Sequence, residues 1–144
     1  MFMSRLIFVN LPVADLPRAI AFYEAVGAVR NPQYSNETAA CMVFSETIHV
    51  MILTHARFAD FTHKPIADAH ATTEVLLCTT MDSRETVDAV VGWAGAAGGV
   101  ADPTPSQDHG FMYMRSFEDP DGHIWEISWM DPAAVPADSE MATA

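Results

Sequence analysis

Ser116-Phe117-Glu118-Asp119-Pro120-Asp121-Gly122-His123-Ile124-Trp125-Glu126-Ile127 carries the strongest fold signal in the chain. Asp-Pro-Asp-Gly is a turn sequence. Proline presets φ early in the turn, and glycine accepts a positive φ at its end. Phe117 on one side and Ile124 to Trp129 on the other read as strands, so the segment is a hairpin. One carboxylate, Glu126, interrupts the second, apolar strand. A charge is rarely buried without a partner or a metal. Glu126 is therefore either a solvent-facing strand residue or a group lining a pocket.

Upstream of the hairpin the chain reads as strand, helix and more strands. Glu74 to Thr80 is an apolar strand. Asp82 or Ser83 caps a helix whose stripe is Val87, Val90, Val91, Ala94 and Ala97, and Gly98-Gly99 stop it. Gly110 to Ser116 is the strand before the turn. The same order stands earlier. Leu6 to Val13 is a strand, Asp15 caps a helix with Pro17 in its first turn, and Leu16, Ala19, Ile20, Tyr23 and Val26 recur at helical spacing up to Gly27. Ala40 to Ser45 and Ile48 to Thr54 follow as strands.

This duplication predicts an α+β fold of two βαβββ modules. The modules span about 4–56 and 72–131 within one domain, 1–131. They are expected to form a cupped mixed sheet with helices on the outside. Residues 57–71, with His63, Lys64, Pro65 and His70, are an irregular link that either covers a site or simply connects. Residues 132–144 read as a disordered tail of Ala, Pro, Asp and Ser.

Bulk composition narrows the partners. The formal net charge of −12, with seven Lys and Arg, argues against nucleic-acid backbones and anionic membrane surfaces. Cys41 and Cys78 lack zinc-ligand spacing and, lying in apolar runs, read as buried thiols. No apolar run approaches membrane-spanning length, and Met1 to Val13 lacks the features of a secretory leader. A cytoplasmic location is the expectation.

Val13-Ala-Asp15-Leu-Pro-Arg-Ala-Ile-Ala-Phe22-Tyr23 with Gly27, followed by Asp119-Pro-Asp-Gly-His-Ile-Trp-Glu126, resembles the vicinal oxygen chelate superfamily. That group holds glyoxalase I, bleomycin and fosfomycin resistance proteins and extradiol dioxygenases. The resemblance covers roughly residues 4 to 131. The run from Asp108-His109-Gly110 to Trp125-Glu126 is also similar to a subgroup of uncharacterised glyoxalase-like proteins. The resemblance implies a divalent metal (Zn, Ni, Mn or Fe) in the cup, chelated by substrate and held by strands of both modules. It also implies homodimers.

Carried over residue by residue, the metal site is incomplete. Phe8 takes the place of the first ligand and cannot bind a metal. Met51 lines up with Glu126 in the duplication and is a poor ligand for hard ions. Glu74 is the candidate for the third place, although aligning Asp82 with Asp15 sets Val75 there. Glu126 matches the fourth. About three protein ligands are the norm for a catalytic site. Glu126 and Glu74 are thus the metal candidates, and Glu126 with His109 the catalytic ones. His109 is a general acid or base by its type. Alternatively, Asp108 and His109 form a loop hydrogen bond and Arg115 pairs with Glu118. His55 and His123 read as surface groups. Phe8, His49, Met51, Tyr113, Arg115 and Trp125 are candidates to line an apolar ligand cavity.

Two functions follow from the resemblance. One is a protein that binds a small molecule in the cup between its modules without chemistry. The other is a metal-dependent lyase, isomerase or dioxygenase of the glyoxalase type.

Overall fold

A computed structural model describes residues 1–134. The first module comprises β1 (Ile7–Val13), α1 (Leu16–Ala25), β2 (Val29–Asn31), β3 (Ala39–Val43) and β4 (Ile48–Thr54). A short α2 (His55–Ala59) opens the link. The second module comprises β5 (Leu77–Thr80), α3 (Arg84–Ala96), β6 (Val100–Ala101), β7 (Gln107–Asp108), β8 (Met112–Glu118) and β9 (Ile124–Met130). The sheets run β1-β4-β3-β2 and β5-β9-β8-β6, with β7 added beside β8. The first strand of each module is parallel to its last, β1 to β4 and β5 to β9, and the remaining pairs are antiparallel. The chain is thus α+β, built as two βαβββ modules with mixed sheets.

Local chemistry explains the elements. The Asp15 carboxylate accepts from the Arg18 N–H and caps α1, with Pro17 in the first turn. Ser83 rather than Asp82 caps α3, accepting from the Thr86 N–H. Gly27 leaves α1 at φ 106°, a conformation side chains resist. The strand expected at Glu74 starts only at Leu77, because only from there does the chain pair with β9. The strand before the turn starts at Met112 and reaches Glu118. The short β2, β6 and β7 were not legible, since two or three residues show no alternation. Cys41 is buried, but Cys78 is exposed on β5. An edge strand with one open face does not hide every apolar-looking residue.

α1 packs on β3 and β4, α3 packs on β8 and β9, and α1 and α3 touch each other. In the first module Val13, Val50, Ile52, Ala40 and Met42 are fully buried on the α1 side. In the second, Phe117, Trp125 and Ile127 form the face against α3. These faces meet. Phe22 packs 5.7 Å from Phe117 between ring centroids, and Phe44, just past β3, stacks on Trp125 at 5.1 Å. One apolar core, running from Leu11 to Ile127, therefore serves both modules. Gly99 is required here, because an added Cβ would lie 2.4 Å from the Glu118 carbonyl oxygen and 2.8 Å from the Phe22 ring.

Candidate functional site

The two motifs that stand far apart in sequence touch in space. Asp119 is almost fully buried. One of its carboxylate oxygens accepts from the N–H groups of Asp121 and His123, both at 2.9 Å. The other accepts from the Tyr23 hydroxyl on α1 at 2.6 Å. Trp125 Nε1–H in turn donates to that hydroxyl at 3.1 Å. Burial pushes the Asp119 carboxyl above the usual carboxylate range, opposed by His123 and by its hydrogen bonds. Burial, and then the neighbouring Asp119, push the Tyr23 phenol well above its ordinary value.

Three more contacts close this seam. The Ala14 N–H donates to Asp121 Oδ1 at 2.8 Å, and Arg18 reaches the Pro120 carbonyl at 3.3 Å. His123, expected at the surface, is half-buried, and its Nε2–H donates to the Pro12 carbonyl at 2.8 Å. A carbonyl only accepts, so the Nε2 proton is fixed. Much of the signature thus joins module to module.

Glu126 lies on the other face of its sheet. Its cross-strand neighbours are Cys78 on β5 and Ser116 on β8. On the first sheet the matching face carries Phe8 stacked on His49, 4.6 Å between centroids, with Asn10 opposite Met51. His49 Nδ1 is shielded from solvent and has no hydrogen-bond partner. The helices lie on the far side of each sheet from these faces, outside with respect to the candidate site. Within one chain the helix-bearing faces meet in one core, and the Phe8 and Glu126 faces are turned away from that core. The sequence leaves open whether the two modules that build the cup belong to one chain or are swapped between two.

Strand register fixes the equivalences. Asn10 pairs with Met51 and Cys78 with Glu126. With Met51 in the place of Glu126, Leu76 in the second module takes the place of Phe8. Glu74 stands before β5, exposed on the wall of another cavity. The four places of the implied metal site therefore hold Phe8, Met51, Leu76 and Glu126. Among the described residues no three His, Cys, Asp or Glu side chains converge. This donor set does not fit a family-type divalent centre.

Other candidates are held elsewhere. Trp125 is buried in the seam. Tyr113 and Arg115 lie on the α3 side of β8, where the Tyr113 hydroxyl donates to Asp88 at 2.6 Å. Arg115 pairs with Asp88 at 2.9 Å and with Asp102 through two bonds of 3.0 and 2.6 Å, not with Glu118. The Tyr113 hydroxyl and then Arg115 hold the Asp88 carboxyl below its ordinary value. Asp108 pairs with Arg84, which also covers the Tyr113 ring. His109 is exposed, its ring 6.4 Å from that of Phe111, just before β8. The structure does not bring these groups to Glu126.

A cavity lies under the link. It measures about 390 Å³ and is bounded by β1, the start of β9 and residues from Phe58 to Val75. The link rests on the signature turn at Gly122, where an added Cβ would come within 2.8 Å of the backbone at Ala69 and His70. The role of Asp119 went unread in the sequence. The signal was there: a turn aspartate two residues before another turn N–H, and a tyrosine on the apolar stripe of a helix.

Comparison with known proteins agrees with this architecture. The family model described as Glyoxalase/Bleomycin resistance protein/Dioxygenase superfamily matches residues 5–127. No curated protein matches the chain significantly. A hypothetical protein from S. aureus is similar in structure at TM-score 0.72 and 23% identity, over 89% of this chain and 95% of that one. A glyoxalase/bleomycin resistance protein/dioxygenase family enzyme from Burkholderia phytofirmans gives 0.70 and 21%, over 88% and 99%. A glyoxalase-related enzyme from Fulvimarina pelagi gives 0.73 and 19%, over 88% of each chain. At such identities these likenesses speak for the fold alone. With paired βαβββ modules, joined motifs and a family match over nearly all of its described length, the chain belongs to the glyoxalase/bleomycin resistance protein/dioxygenase superfamily.

Proposed function

We propose that this protein binds a small molecule in a cup built by two copies of the chain, the Phe8 face of one against the Glu126 face of the other. One observation carries the reading. Both faces are open within a single chain, and each exposes a large apolar residue at a place where the family pattern puts a ligand, Phe8 at 46% and Leu76 at 55%. Apolar groups of this kind are covered by a partner or a ligand. Phe8, His49 and Met51 supply stacking and packing area. Glu126 supplies the single carboxylate and favours a ligand with a cationic or hydrogen-bond-donating group on an aromatic body.

With apolar side chains at three of the four family places, binding without metal chemistry accounts for the residues better than a lyase or dioxygenase does. A homodimer and a cytoplasmic location belong to the same proposal. Among the described residues no helix is long and apolar enough to cross a membrane.

A thermal-shift screen of aromatic cations, neutral aromatics and aromatic acids tests the reading. Cations raise the melting temperature of the wild type in proportion to mass action. Glu126→Gln removes the preference for cations while leaving the unliganded melting temperature in place. A screen with no stabilising compound, or a preference that survives Glu126→Gln, contradicts it.

A further inference from the structure

The cavity under the link is a second candidate site, bordered by Asn10 and Pro12 of β1 and by Ile124 at the start of β9. Phe58, Ile66, Leu77 and Ile124 give it apolar walls. Two opposite charges, Lys64 and Glu74, also line it. Among the described residues neither has an ion-pair partner, and they do not pair with each other. Lys64 is conspicuous in a chain with only seven Lys and Arg against nineteen Asp and Glu.

The strap that forms the cavity is itself ordered. The Asp68 carbonyl accepts from the N–H groups of Ala71 and Thr72, both at 3.0 Å. Its carboxylate accepts from the His70 N–H at 3.0 Å. Gly122, at φ 92°, lets the strap backbone sit directly on the turn. His123 is fixed by its bond to Pro12, so a neutral ring offers Nδ1 only as an acceptor. The volume of about 390 Å³ falls in the range of small-molecule sites.

We propose that this cavity is a binding site for a free apolar α-amino acid. The apolar walls take the side chain, the Lys64 ammonium takes the carboxylate, and Glu74 takes the ammonium. A zwitterion matches two unpaired opposite charges in one cavity without adding net charge to it. A plain hydrocarbon leaves both charges unused, and a simple acid or amine leaves one.

Calorimetric titration of the full chain with L-phenylalanine and L-leucine tests the site, with 3-phenylpropionate and phenethylamine as the two single-charge analogues. Phenylalanine is expected to bind one per chain and more tightly than either analogue. Lys64→Met is expected to weaken phenylalanine by about tenfold or more and to spare phenethylamine. Glu74→Gln is expected to weaken phenylalanine similarly and to spare 3-phenylpropionate. Both side chains are exposed, so both variants fold. Glu126→Gln leaves phenylalanine binding unchanged, which separates this site from the cup. Absence of heat with both amino acids at millimolar concentration overturns the proposal. So does phenylalanine binding that is indifferent to both substitutions.

Discussion

The seam between the modules and the outer faces of the sheets use the same strands in opposite ways. In the seam every polar group of Tyr23, Asp119 and Trp125 has a partner, and the apolar groups around them are sealed. On the outer faces Phe8 and Leu76 are open, and Glu126 has no hydrogen-bonded or ionic partner among the described residues. Residues of one signature thus divide by side-chain direction along β9. Trp125 turns inward and holds the fold, and Glu126 turns to the other face of the strand. A satisfied buried network specifies a unique packing. A face with unpaired groups is where binding energy remains to be gained.

The comparison is most easily broken at the seam. Trp125→Ala removes a side chain stacked on Phe44 and bonded to Tyr23, and is expected to cost about 3–5 kcal/mol of unfolding free energy. Urea denaturation checks it. Tyr23→Phe keeps the ring but removes the hydroxyl that joins Asp119 to Trp125, and is expected to cost about 1–3 kcal/mol. A loss near zero in either variant would place the seam outside the cooperative core.

pH sharpens the same contrast. Burial raises the Asp119 carboxyl in the folded chain, so between about 3.9, the ordinary unfolded value, and its folded value the fold binds more protons than the unfolded chain. Its contribution to stability is complete below the unfolded value and is lost as pH rises through the folded one. Asp88 has the opposite sign, its carboxyl lowered by Tyr113 and Arg115. Its contribution is present above the unfolded value and lost as pH falls. The stability lead of the wild type over Asp119→Asn should therefore shrink as pH rises from about 4. Urea midpoints between acid and neutral pH measure it, and a lead that grows with pH contradicts the assignment.

On the outer face the expected stability effect is the smallest. Glu126→Gln alters no observed bond, and its unfolding free energy should stay within about 0.5 kcal/mol of the wild type. A larger loss in calorimetry would mean that Glu126 serves the fold.

Much of the fold was legible because its devices are local. Asp15 and Asp-Pro-Asp-Gly act within a few residues, and the helix stripes repeat at a fixed period. The site was less so, because its geometry is set across the chain. Tyr23 and Asp119 stand 96 residues apart, and no spacing rule joins them. Which of Glu74, Val75 and Leu76 shares a face with Glu126 depends on pairing with β9, where a slip of one residue reverses the facing. Arg115 found Asp88 and Asp102 rather than the nearby Glu118 because α3 packs on its side of β8. Position along the chain could not show that.

Completion of the outer faces by a second copy, as proposed, is tested by sedimentation equilibrium of the wild type beside Phe8→Asp. The wild type is expected to sediment at micromolar concentration as twice the chain mass of 15.7 kDa. Phe8→Asp is expected to sediment as the single chain with an intact fold by circular dichroism. A wild type that stays at the single-chain mass throughout that range, or a Phe8→Asp dimer as tight as the wild type, contradicts it.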